Sequence, residues 1–212
     1  MNTTFLMIAA SYLLGSLPTS ALVGRLRGID LRKEGSGNLG FTNALRVLGW
    51  RYAVPVLAID VAKGAVPVLF IAPALASGSP LGAEWAALAA GLAAIAGHVW
   101  SVFTGFKGGK GIATTCGVFA ALAPLATVAS VAVWLVLVLS TRYVSVGSVV
   151  ASIVLPLAVA LESTMRGKER PAHLIILAVI VAVLVVVKHR GNLRRLAAGT
   201  ENRFGRGAAR GE

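Results

Sequence analysis

The chain has 212 residues, of which 57% are hydrophobic and 13% charged, and its net charge of +12 comes from 20 Lys and Arg against 8 Asp and Glu. Such a composition excludes a soluble domain of this length and leaves a polytopic membrane protein. Helices are the economical spanning structure, because a barrel would alternate polar and apolar residues and the apolar runs here are continuous.

Those runs fall at about residues 5–23, 53–75, 84–103, 112–139, 144–161 and 172–187, each near the ~20 residues a helix needs to cross a ~30 Å hydrocarbon core. The first has no basic residue ahead of it and meets Arg25 only after its end, so it reads as a retained span and not a cleaved signal. Residues 24–51 then carry Arg25, Arg27, Arg32, Lys33, Arg46 and Arg51, and the C-terminal stretch carries Lys188, Arg190, Arg194, Arg195, Arg203, Arg206 and Arg210. The positive-inside bias puts both on the cytoplasmic side.

An even number of crossings must separate two cytoplasmic segments, yet five apolar runs follow residue 51. The run at 112–139 has 28 residues with Pro124 near its middle, and as one helix it would reach ~42 Å. It is therefore expected to form a hairpin of two short helices, returning Arg142 to the cytoplasm. The expected fold is all-α and polytopic, with seven transmembrane helical segments including that hairpin, the N-terminus outside and the C-terminus cytoplasmic. Residues 76–83 and 163–171 then lie outside. Arg166, Lys168 and Arg170 oppose this orientation, but Glu162 and Glu169 accompany them. One integral-membrane domain is expected over residues 1–201, and a basic, flexible cytoplasmic tail over 202–212 able to touch anionic lipid. Cys116 is the one cysteine and reads as a small packing residue.

Under this topology four polar islands, residues 28–46, 98–115, 141–148 and 189–201, share the cytoplasmic face. The first contains Gly35-Ser36-Gly37-Asn38-Leu39-Gly40-Phe41-Thr42-Asn43 and then Arg46. Its glycines match the dinucleotide pattern G-x-G-x-x-G, but no strand precedes them and Asp60 falls inside an apolar helix, so that reading is rejected. A tight loop with backbone N–H groups, amides, hydroxyls and a guanidinium suits a phosphate or a polyol. The second island, Phe106-Lys107-Gly108-Gly109-Lys110-Gly111, is no Walker A loop; its glycines let the backbone close on an anion that the lysines neutralise.

His98 before this loop reads as structural. Asp60 and Lys63, three residues apart on one helical face, are expected to pair and face the pocket, because lone charges at that depth are expensive. The third island is Thr141 to Ser148. The last, His189-Arg190-Gly191-Asn192 through Gly199-Thr200-Glu201, adds an imidazole and an amide to the cations that a plain stop-transfer segment would need, a set able to orient a carbonyl or stabilise charge developing on it.

Three of these runs, G-S-G-N-x-G-x-T-N at 35–43, G-H then F-K-G-G-K-G-x-A-T from Gly97 to Thr114, and H-R-x-N then G-T-E from His189 to Glu201, occur in order between apolar helices. Together they resemble the bacterial acyl-phosphate:glycerol-3-phosphate acyltransferase family, over nearly the whole chain. Leu39 and Phe41 depart from the smaller or cyclic residues usual there. The resemblance implies an inner-membrane enzyme with a cytoplasmic active site, transferring a fatty acyl group from acyl phosphate to glycerol 3-phosphate. It implies no cofactor, no metal, no coenzyme A or acyl carrier protein, and no nucleic acid; the partners are the two substrates and membrane lipid. By the family pattern Ser36, Arg46 and Lys107 or Lys110 hold phosphate in the glycine-built loops of Gly37, Gly108 and Gly109. Asn38, Thr42, Asn43, Ser145, His189 and Asn192 complete the polar shell, with Ser36, Lys110, His189 and Asn192 nearest the chemistry. A transporter of a phosphorylated solute is the competing class, disfavoured by the lack of an inverted repeat and by polar residues gathered on one face.

Overall fold

The computed structural model describes residues 3–77, 82–167 and 171–205, so that Met1, Ser79, Lys168, Glu169, Arg170, Arg206 and Arg210 lie outside the described residues. Every regular element among the described residues is helical. They fall into two compact units, divided between Ala121 and Leu122.

In the first unit, α1 (Thr3–Ser16) and α2 (Thr19–Leu26) make one broken span. The break falls at Leu17-Pro18, because proline disfavours helical backbone in the residue before it and brings no N–H of its own. The glycine-bearing loop at 27–40 leads to the short α3 (Phe41–Leu48), and α4 (Trp50–Val66) starts after Gly49. α4 runs through a π-helical turn, Pro67–Ile71, into α5 (Ala72–Ser77), together a 28-residue apolar span. The π turn opens on the proline, where the missing N–H loosens the regular ladder. α6 (Ala83–Val99) packs along α1, and the 3₁₀ turn Val102–Thr104 carries the chain into the lysine loop and α7 (Ile112–Leu122). α4 and α7 cross at Gly64 and Gly117, where an added Cβ would overlap Thr114 O and Val61 O respectively. Small residues here let two backbones touch, the usual device for packing helices in lipid.

The second unit holds α8 (Pro124–Thr141), α9 (Val144–Met165), α10 (Ala172–Lys188) and α11 (Arg190–Ala197), with α8 against α9 and α9 against α10. α10 and α11 bend by 52° at His189. The end remote from the polar islands is closed by Glu162, whose Oε2 accepts the Ala126 N–H at 2.8 Å and whose Oε1 pairs with Arg166 Nη2 at 2.8 Å. Ala126 lies in the first turn of α8, where the N–H groups have no intrahelical acceptor. Glu162→Ala is therefore expected to destabilise the protein by about 2 kcal/mol. Arg166→Ala should cost under ~1 kcal/mol, because that side chain is 46% exposed. Thermal unfolding of detergent-solubilised protein checks the order.

One feature differs from the sequence expectation. The chain does break at Ala123-Pro124, but into unequal pieces: α8 has 18 residues and is long enough to cross alone, while α7 has 11 and reaches only ~16 Å. Among the described residues, five helices are long and apolar enough to span, or six if the bent α10–α11 pair counts as one. Past Glu201, Phe204 N bonds Arg142 O at 2.6 Å, and Arg203 Nε bonds Tyr143 Oη at 3.1 Å with its guanidinium 5.5 Å from that ring.

Candidate active site

In the first unit the loop before α3 is wound around one amide. Asn43 is 1% exposed; its Oδ1 accepts the Ser36 N–H at 2.8 Å and the Ser36 hydroxyl at 3.1 Å, and its Nδ2 donates to Leu31 O at 3.0 Å and Glu34 O at 3.1 Å. Asn43 thus builds the loop from inside, leaving Ser36 at the surface with its hydroxyl aimed. Arg46 follows Asn43 by three residues and Thr42 by four on α3, so the three occupy neighbouring positions on one side of the helix. Gly37, Asn38 and Arg46 are half-buried. At the start of the loop Arg32 Nε and Nη2 grip Asp30 at 3.0 and 3.1 Å. That side-chain hydrogen bond is the main reason the exposed Asp30 carboxyl is held below its ordinary range.

The lysine loop is tied back onto the end of α6. Tyr12 Oη donates to Trp100 O at 2.6 Å and Ser101 Oγ to Ser16 O at 2.5 Å, anchoring the end of α6 on α1. Gly108 N and Gly109 N then bond back to Val99 O at 3.2 Å and His98 O at 3.1 Å. A Cβ on Gly108 would overlap His98 O, and one on Gly109 would overlap His98 Nε2 and meet Leu39 O at 2.5 Å. Lys107 is exposed and Lys110 half-buried on either side of this pair. Leu39 from the first loop and Gly108 and Gly109 from the second line one small cleft, with Asp60, Lys63 and His98 in its wall. The two glycine islands therefore meet inside one unit. Asp60 and Lys63 pair at 2.9 Å, as their spacing predicts.

In the second unit the centre is Glu201. Its Oε1 accepts Ser145 Oγ at 3.0 Å and Asn192 Nδ2 at 2.6 Å, and its Oε2 accepts Arg195 Nε at 2.9 Å. His189, 3% exposed, has Nδ1 2.8 Å from Val185 O. A carbonyl can only accept, so Nδ1 carries the hydrogen and the basic lone pair sits on Nε2. Ser145, His189 and Asn192 belong to this unit and the other ten predicted site residues to the first. Glu201 was given no role from the sequence; the signal available was a lone acid in a stretch carrying Arg190, Arg194, Arg195 and Arg203. Among the described residues no three His, Cys, Asp or Glu side chains gather as ligands for a metal ion.

Residues 5–199 match the family model described as glycerol-3-phosphate acyltransferase. The chain belongs to that family. The enzyme is 45% identical to the glycerol-3-phosphate acyltransferase of Geobacter sulfurreducens, over 96% of this chain and 99% of the relative. It is 46% identical to that of Trichlorobacter lovleyi over the same shares, and 44% identical to that of Chlorobaculum parvum over 97% of this chain and 99% of the relative. Among solved structures it is similar to PlsY (YgiH), an integral membrane glycerol 3-phosphate acyltransferase. The glycerol 3-phosphate form of that protein matches with a TM-score of 0.84 at 38% identity, and the lysophosphatidic acid form with 0.81 at 37%, each covering 96% of both chains. The enzyme is thus an acyltransferase carried on several apolar helices.

Proposed function

We propose that the enzyme transfers a fatty acyl group from acyl phosphate to the 1-hydroxyl of glycerol 3-phosphate, giving 1-acyl-glycerol 3-phosphate and inorganic phosphate. The observation that carries the reading is the meeting of two phosphate-suited loops, one bearing Ser36 and Arg46 and the other Lys107 and Lys110, in a chain similar to a protein solved with glycerol 3-phosphate and with lysophosphatidic acid. Both substrates carry phosphate; an arginine fork and two lysines supply the charge and donors it requires, while the glycines let the chain come close to it.

The 1-hydroxyl oxygen attacks the acyl carbonyl carbon, the new ester C–O bond forms, and the C–O bond to phosphate breaks with its electron pair leaving on phosphate. The hydroxyl proton passes to His189 Nε2 or to a phosphate oxygen. Ser36, Arg46, Lys107 and Lys110 hold and neutralise phosphate, while Gly37, Gly108 and Gly109 let the backbone approach it. Asn38 and Thr42 complete the polar wall, and Asn43 acts by shaping the loop that presents Ser36. Asn192 and Ser145, aimed by Glu201, serve the reacting end. Much of the rate comes from orientation and from stabilising charge on the carbonyl oxygen.

Acyl phosphate is already activated, so coenzyme A, acyl carrier protein and cofactors have no part in the scheme. The basic segments support a place in the bacterial inner membrane with seven helical segments, α1 beginning outside, and the active site and C-terminus in the cytoplasm. Purified enzyme given palmitoyl phosphate and glycerol 3-phosphate without coenzyme A should release phosphate and form lysophosphatidic acid. Product formed only from acyl coenzyme A or acyl carrier protein would overturn the donor assignment.

A further inference from the structure

Under the lysine loop lie three ionisable side chains that the reaction does not use: Asp60 at 2%, Lys63 at 4% and His98 at 6% exposure. Lys63 Nζ sits 2.9 Å from Asp60 Oδ1 and donates to Leu17 O at 2.9 Å, and His98 Nδ1 lies 3.9 Å from the same carboxylate oxygen. An ion pair this deep gains little net stability, since desolvation offsets the attraction, but it holds geometry: either charge alone would be costly, so each is kept where the other is.

The cluster has structure at both ends. At one end Lys63 holds the carbonyl of Leu17, at the break where α1 gives way to α2. At the other the imidazole is the surface on which Gly109 rests, while the backbone of His98 and Val99 takes the N–H groups of Gly109 and Gly108. The same cleft reaches Leu39 of the serine-bearing loop. A shift of the imidazole therefore moves the backbone between Lys107 and Lys110, and with it the carbonyl edge of the other loop.

We propose that Asp60, Lys63 and His98 form a positioning unit, which fixes where the loop presents Lys107 and Lys110 to a phosphate-bearing substrate. The inference deepens the acyltransferase reading and rests on it. None of the three is a catalytic residue; each acts through the loop.

The test is steady-state kinetics on the purified full-length enzyme in detergent, varying each substrate separately. His98→Ala is expected to raise KM for at least one phosphate-bearing substrate by ~10-fold or more with kcat within about threefold, as loss of binding geometry without loss of chemistry requires. His98→Gln should recover most of that loss, because a planar amide can still back Gly109. Since removing one buried charge threatens folding, the double variant Asp60→Leu with Lys63→Met provides the second measurement. It removes the pair without leaving either charge alone, and the same rise in KM is expected. Unchanged KM for both substrates, with or without a fall in kcat, would mean that the cluster does not set the loop's binding geometry, and that result overturns the proposal. Failure of the acyl-phosphate donor would leave this test standing, because KM for glycerol 3-phosphate can be read with whichever acyl donor the enzyme accepts.

Discussion

Glu201→Ala is expected to lower acyltransfer by ~100-fold or more and to destabilise the protein by about 3 kcal/mol. The Glu201 side chain is 4% exposed and gathers three donors, two of which, Ser145 Oγ and Asn192 Nδ2, converge on a single oxygen. Hydrogen bonds to a charged acceptor are worth about 1.5 kcal/mol or more each, so the two together account for the expected loss. Arg195 adds less than ~1 kcal/mol, because its side chain is 42% exposed and screened by solvent. The loss in rate is larger than the loss in stability requires, since Ser145 and Asn192 lose the orientation the carboxylate imposes. Glu201→Gln keeps one accepting oxygen and should fall between wild type and Ala. Thermal unfolding in detergent and the phosphate-release assay measure the two effects separately. A fully active Glu201→Ala variant would mean that Ser145 and Asn192 take no part in the reaction.

Gly108→Ala is expected to lose ~100-fold or more in activity while remaining folded. The new methyl group would overlap the His98 carbonyl, which is backbone at the end of α6 and cannot swing aside. The loop must rise instead, breaking the Gly108 and Gly109 bonds to Val99 O and His98 O and displacing both lysines. Gly105→Ala is the matched control. Gly105 has φ of +63° but nothing within 4 Å of its added Cβ, so that variant carries only the local strain of a left-handed residue, about 1 kcal/mol. Equal loss in the two variants would show that loop flexibility, and not close approach to His98, is what the glycines supply. Kinetics at saturating and limiting substrate, with a melting curve for each variant, read the difference.

How far these features could be read in advance depends on how local their physics is. The apolar runs, the break at Pro124 and the Asp60–Lys63 pair were legible, because each follows from residues within a turn or two of one another. The unequal lengths of α7 and α8 were not: proline marks where a helix breaks, while the use of an 11-residue piece depends on the helix it packs against, here α4 through Gly64 and Gly117. The π turn at Pro67 was missed for the same reason. The glycine-dense loops could be picked out from composition alone, but not the hydrogen bonding inside them. Asn43 and Asn38 look alike in sequence, and only the fold turns one inward to bond Leu31 O and Glu34 O. Glu201 belonged to a recognisable run, yet its partners Ser145 and Asn192 lie 56 and 9 residues away, and sequence spacing carries no sign of that convergence.

The pairing of Lys63 with both Asp60 and the carbonyl of Leu17 also bears on biogenesis. Two charges near the middle of the span Trp50–Ser77 raise the free energy of inserting that helix by about 5–7 kcal/mol if each is counted separately. Their three-residue spacing lets them cross the translocon as a neutral couple. Leu17 precedes them in the chain, and in the folded protein its carbonyl accepts from the Lys63 ammonium at 2.9 Å. The first span thus offers the second a polar dock for the one ammonium it carries through the hydrocarbon.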